Sequence, residues 1–138
     1  MQYTVSSIED RGVLLRREFE DATARLRTSG SEITLELMRT LTECHDLLLQ
    51  RVGPWPDLSD EAKLDCARML VRLAERQFQT SLGKAYGLAI LAMHLEASAL
   101  QGPDASFVFS RTEEIIAGAM RARAALNRPG SEQLTAAA

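Results

Sequence analysis

The side chains in this sequence that could do chemistry are few and scattered. Two histidines, His45 and His94, two cysteines, Cys44 and Cys66, and a row of arginines, Arg68, Arg72 and Arg76, make up most of the inventory. A zinc site needs Cys and His clustered at short spacings. Cys44 and His45 are adjacent, but Cys66 and His94 stand on other segments. Di-iron bundles use Glu-x-x-His pairs, and the sequence contains none. It also lacks Cys-x-x-Cys-His, a Gly-rich phosphate loop and a nucleophile elbow. Catalysis needs a base, an orienting partner and a stabiliser in one cleft. So thin a set predicts no enzyme, no metal and no cofactor.

Arg68, Arg72 and Arg76 lie one helical turn apart, a spacing that could meet phosphates. Asp65 and Glu75 are close enough to offset them, and no aromatic side chains interleave for base stacking. A net charge of −3 also runs against the basic surface that phosphate binding needs. A solvated or partner-facing ionic face is the better reading, and a weak nucleic-acid-binding regulator is kept as an alternative.

These residues have to be positioned by helices. The stretch Ser59–Gln101 organises the chain. Ser59 is a good N-cap, and Asp60 and Glu61 suit the positive end of a helix dipole. Leu64, Ala67, Val71, Ala74 and Phe78 recur by threes and fours and are expected to face inward. Ala85, Leu88, Ala92, Leu95 and Ala99 continue that pattern. Tyr86, Ile90, Met93, Ala97 and Leu100 add a second apolar stripe, so the segment 85–100 is apolar nearly all round. It should be buried on most sides, in the bundle or at an oligomer interface. One continuous helix here would run roughly 60 Å, longer than a compact chain of this size, so a break or kink is expected at Thr80-Ser81-Leu82-Gly83. Gly83 and Gly87, one turn apart, allow another backbone to approach closely.

Earlier in the chain, Ser6-x-x-Glu9 has the capping-box pattern and opens a first helix with the stripe Ile8, Leu15, Phe19, Ala22 and Leu26. Thr28-Ser29-Gly30 makes a turn in which Gly30 can take positive φ, and Ser29-x-x-Glu32 offers a second capping box. The next stripe is Ile33, Leu37, Leu41, Cys44 and Leu48, widened by Met38, Leu47 and Leu49. Gly53-Pro54-Trp55-Pro56 ends that helix. Trp55 either plugs the end of the bundle or anchors a partner. Gly102-Pro103-Asp104 reads as a stop, followed by a loop carrying Phe107, Val108 and Phe109. Ser110-x-x-Glu113 then opens a last helix with the stripe Ile115, Ala119, Ala122 and Leu126, closed by Asn127-Arg128-Pro129-Gly130. The expected fold is an all-α bundle of four helices, or five if the long, apolar central one breaks. It occupies residues 1–130, with 131–138 as a flexible tail.

Met93-His94-Leu95-Glu96-Ala97-Ser98-Ala99 resembles the histidine phosphotransfer modules of bacterial phosphorelays, helical bundles with an exposed His on a central helix. The resemblance covers seven residues. It implies His94 as the phosphoryl acceptor. That family follows its His with Lys and Gly at fixed spacing, whereas Glu96 and Ala97 stand here, one residue short. An acidic neighbour repels a phosphoryl group.

Hydrophobic residues make up 46% of the chain and charged ones 25%, which argues for a folded protein rather than a disordered one. Met1–Val5 has neither a basic segment nor an apolar run, so no export signal is expected. No apolar run reaches the length of a membrane span. In such a chain the two cysteines are expected to be reduced. The sequence is thus read as cytoplasmic and, from its Arg and Ala usage, bacterial. Excess apolar helix surface with little chemistry points to a protein–protein interaction module: a small adaptor, regulator or chaperone-like subunit. It is expected to form a homodimer through residues 82–100, with Trp55, Tyr86, Ile90 and Met93 as contact residues.

Overall fold

A computed structural model of the chain describes residues 8–126. The Ser6-x-x-Glu9 capping box, the stop at 127–130 and the tail 131–138 fall outside the described residues. Five helices follow in order: α1 (Ile8–Arg27), α2 (Ser31–Val52), α3 (Asp60–Gln77), α4 (Leu82–Ala99) and α5 (Pro103–Leu126). A single 3₁₀ turn, Trp55–Asp57, joins α2 to α3. Among the described residues there is no strand, so the fold is an all-α bundle.

The long apolar stretch is two helices rather than one. Helix α3 ends at Gln77 with Phe78, still in helical geometry, as its C-cap, and the next helix begins at Leu82. Polar side chains secure both ends of the break. The Thr80 hydroxyl donates to the Gln77 carbonyl at 3.2 Å, the Ser81 N–H donates to the same carbonyl at 2.7 Å, and the Lys84 N–H donates to the Ser81 hydroxyl at 3.2 Å. With so short a connection α4 folds back along α3 as an αα-hairpin. At the other end of α3, the Ala62 N–H donates to the Ser59 hydroxyl at 3.1 Å, the expected N-cap.

Helix α4 packs against all four other helices. Twelve of its eighteen residues are buried, and Ile90, Leu91 and Leu95 have no exposed surface. Removing such a side chain from water is worth about 1.5–3 kcal/mol. This is why a helix with almost no polar face belongs at the centre. One cluster joins α4 to Leu37, Leu41 and Leu48 of α2, Leu70 of α3 and Ile116 of α5. A second joins it to Leu15 and Phe19 of α1 and Val108 of α5.

Gly83 and Gly87 serve the packing of α4 on α2. A Cβ on Gly83 would stand 2.7 Å from the Ile33 carbonyl oxygen, and one on Gly87 2.9 Å from that of Leu37. Backbone cannot yield as a flexible side chain does. Gly87→Ala should therefore cost about 1–2 kcal/mol, even though alanine gains roughly 1 kcal/mol in helix propensity. Gly118 is the contrast. Its Cβ would meet only the Arg121 guanidinium at 3.8 Å, so Gly118→Ala should stabilise by about 1 kcal/mol. Urea unfolding of the two variants checks this. Equal shifts would mean that α2 and α4 do not approach as described.

Several sequence expectations need correction. Gly30 is the N-cap of α2 with φ −74°, not positive, and no side chain caps that end. The Ser29 hydroxyl instead donates back to the Arg25 carbonyl of α1 at 3.0 Å. Residues 107–109 are not a loop, and Ser110 opens no helix, because α5 already starts at Pro103. Gly102, at φ 109°, makes the turn, and proline then occupies a first-turn position whose N–H would have no partner anyway. Leu126 is exposed rather than inward-facing. Leu47 and Leu49 are exposed too, outside the buried stripe of α2. On α3 the inward face is Lys63, Ala67, Leu70 and Ala74. Val71 and Phe78 lie outside it, 43% and 50% exposed.

Candidate partner-binding site

The offset on α3 creates a groove. Helices α2 and α5 pack on each other, as do α5 and α1. Helix α3 packs on α4 but only sparsely on α1 or α2, so the circle of helices around α4 is open on either side of α3, and the side toward α1 is the groove. Two adjoining clefts of about 280 and 220 Å³ run along this opening, sharing Val71 and Glu96 in their linings. One wall is Leu64, Val71 and Phe78 of α3. The other includes Arg11, Glu18 and Ala22 of α1. The floor is α4, with Ala85, Ala89, Ala92 and Met93. Alanines there keep the floor low, so a guest backbone can come near α4. Leu14, three residues after Arg11 and four before Glu18, is 54% exposed on the same strip of α1.

Charges of both signs edge the groove. Arg11 reaches Glu96 at 3.7 Å. Burial pushes the Glu96 carboxyl up from its usual range, and Arg11 opposes that shift. Arg68 pairs with Asp65 on its own helix. Arg68 and Arg72 line the groove, and Glu75 lies farther along it toward Phe78. Arg76 is exposed and lines neither cleft.

Of the contact residues expected from sequence, Tyr86 and Met93 are each 8% exposed, and their edges line the groove. The Tyr86 ring lies 6.2 Å from that of Phe78. Ile90 is fully buried and presents no surface. Trp55, 8% exposed, lies elsewhere, among aromatic rings and in the turn that precedes α3. His45 meets its indole edge-on at 5.5 Å, and His94 lies 6.5 Å away. His94 in turn stacks on Phe109 at 4.8 Å.

This aromatic cluster is polar but short of hydrogen bonds. His45 Nδ1, Trp55 Nε1 and both ring nitrogens of His94 are buried without a hydrogen-bond partner. His94 is 3% exposed, and burial, reinforced by nearby His45, lowers its pKa to about 4. Its ring is therefore neutral near pH 7 and out of reach of a phosphoryl donor. His45 is also lowered by burial, against the pull of Asp46. Asp46 in turn pairs with Arg123 of α5 at 2.8 Å. Among the described residues no three His, Cys, Asp or Glu side chains converge as a metal site requires. Among the same residues no helix is long and apolar enough to cross a membrane.

The groove residues that the sequence reading misses are Arg11, Glu18 and Glu96, together with the outward turn of Val71 and Phe78. One signal is present. The stripe Leu64–Phe78 plus Leu70 is wider than a single buried face needs. The comparisons with known proteins add no constraint: no family model, no curated protein and no solved structure matches this chain.

Proposed function

We propose that the protein is a non-enzymatic protein–protein interaction module that receives a partner helix in the groove between α1 and α3. The observation that carries this reading is the α3 wall. Val71 and Phe78 hold 43% and 50% of their surface in water above an alanine floor. Apolar side chains lined up at helical spacing, with polar residues at the rim, suit an amphipathic helix laid lengthwise. From Leu64 to Phe78 the wall is about 21 Å long, or four helical turns. The reactive groups are scattered: His94 is buried, His45 is half-buried, and neither lines the groove.

The test is affinity capture with tagged wild-type chain and with Val71→Glu. A half-exposed site tolerates the change, so the variant should keep its helical circular dichroism and lose no more than about 1 kcal/mol of stability. A glutamate in the apolar wall should weaken partner retention by about tenfold or more. A protein held by the wild type and lost by the variant, an untagged copy of the chain included, supports the groove. Equal retention on both baits, or none on either, rejects it.

A further inference from the structure

The groove's occupant follows from the pattern of α3 itself. This step rests on the groove reading and names its partner. Leu64, Val71 and Phe78 are seven residues apart, and at about 100° per residue each projects within about 20° of the next, with about 40° between the outer two. Arg68 and Glu75 lie at about 60° and 40° to the same side of this seam, one on each side of Val71 along the axis. The seam is thus symmetric in its apolar residues about Val71 and opposite in charge on either side of it.

We propose that the groove takes the α3 helix of a second copy of this chain, antiparallel to its own, across a two-fold axis at Val71. In an antiparallel pair, residues whose numbers sum to a constant face one another. With the axis at Val71, Leu64 faces the partner's Phe78, and Val71 faces the partner's Val71. Arg68 then falls beside the partner's Glu75, and the symmetry repeats this pair on the other side of the axis. A parallel pairing would instead put the Arg68 and Glu75 side chains of the two copies on opposite flanks of the seam, where neither meets an opposite charge of the partner. Arg72 projects about 100° from the seam, so the two copies of it sit at the rim of the groove rather than across the seam. The interface is isologous: one patch serves as both donor and acceptor.

A stable dimer buries about 800 Å² on each side, roughly a tenth of the 8929 Å² surface of this chain. An α3 helix seated between α1 and α3 of the other copy covers the Val71–Phe78 wall, the alanine floor and Leu14 in one step. Arg68 is free to change partners, because its pair with Asp65 is surface-exposed, with 60% and 64% of the two side chains in water.

The experiment is sedimentation equilibrium on the full chain over a concentration series, with circular dichroism as the folding control. The wild type should pass from 15.2 kDa to twice that mass. Arg68→Glu sets a carboxylate against the partner's Glu75, and Glu75→Arg sets a guanidinium against the partner's Arg68. Each should weaken dimerisation on the order of tenfold. An equimolar mixture of the two variants should dimerise again, since each now complements the other. So should the double substitution Arg68→Glu with Glu75→Arg, which swaps the signs within one chain. Only a self-complementary antiparallel seam predicts both rescues.

A wild type that stays at 15.2 kDa throughout overturns the second-copy occupant. So does a dimer indifferent to the single substitutions, or one not rescued by the double. If, in these cases, Val71→Glu still loses a captured protein, the groove stands and its occupant is a different chain. If Val71→Glu loses nothing, the groove reading falls as well.

Discussion

Ile90→Asp is expected to abolish the fold rather than to split an assembly. Ile90 is fully buried on α4, within the cluster that α4 shares with α2, α3 and α5. Removing its side chain costs about 2–5 kcal/mol in lost burial and residual cavity. The carboxylate that replaces it has no cation in that cluster, and burying it costs several kcal/mol more unless it takes up a proton. The sum approaches the whole stability of an ordinary domain, about 5–15 kcal/mol. The expected result is loss of helical circular dichroism and of cooperative melting at neutral pH, with Ile90→Val as a control costing only about 0.5–1.5 kcal/mol. The opposite result is also informative. A folded Ile90→Asp monomer, derived from a wild-type dimer, would put Ile90 at an interface and α4 at the surface.

The contrast between Ile90 and Val71 shows what the sequence could and could not convey. Helix α4 is legible because it has almost no polar face: a helix apolar all round has to be surrounded. The stripe of α2 is legible for the complementary reason, since Glu32, Arg39, Glu43 and Gln50 mark its wet side. Helix α3 has neither property. Leu64, Ala67, Val71, Ala74 and Phe78 sit at correct helical spacing but straddle two directions. Only the smaller members, Ala67 and Ala74, turn fully inward. Lys63, which no hydrophobicity rule places inside, is buried with them and reaches toward Asp60 at 3.9 Å. Periodicity fixes the angle between side chains and leaves the rotation of the helix to its neighbours. The groove depends on that rotation.

The start of α5 is obscure in the sequence for a different reason. Proline after glycine ends one helix and begins the next with equal ease, so Gly102-Pro103 carries both meanings. The aromatic cluster has no local signal at all. His45, Trp55, His94 and Phe109 come from four segments, and only the return of α4 along α3 and the early start of α5 bring them together.

That cluster should make the protein acid-labile in a defined window. In the unfolded chain His94 takes up a proton near its ordinary value of 6.5, whereas in the fold its pKa is about 4. Between these values the unfolded state holds a proton that the folded state refuses, so stability falls as the pH falls. The loss begins near pH 6.5 and levels off below about 4, where both states are protonated. The gap is worth roughly 3 kcal/mol. His45, also lowered by burial, contributes in the same direction, moderated by Asp46. Carboxylates titrate at the lower end of the window, so the informative quantity is the difference from His94→Phe. Phenylalanine keeps a ring against Phe109 and removes two buried nitrogens that lack partners. The variant should equal or exceed the wild type in stability at pH 7, because an unpaired buried polar group costs about 1–3 kcal/mol. Its advantage should widen by roughly 3 kcal/mol by pH 4 in urea unfolding. Parallel pH profiles for the two proteins would mean that His94 is hydrated in solution and that the ring cluster is not closed around it.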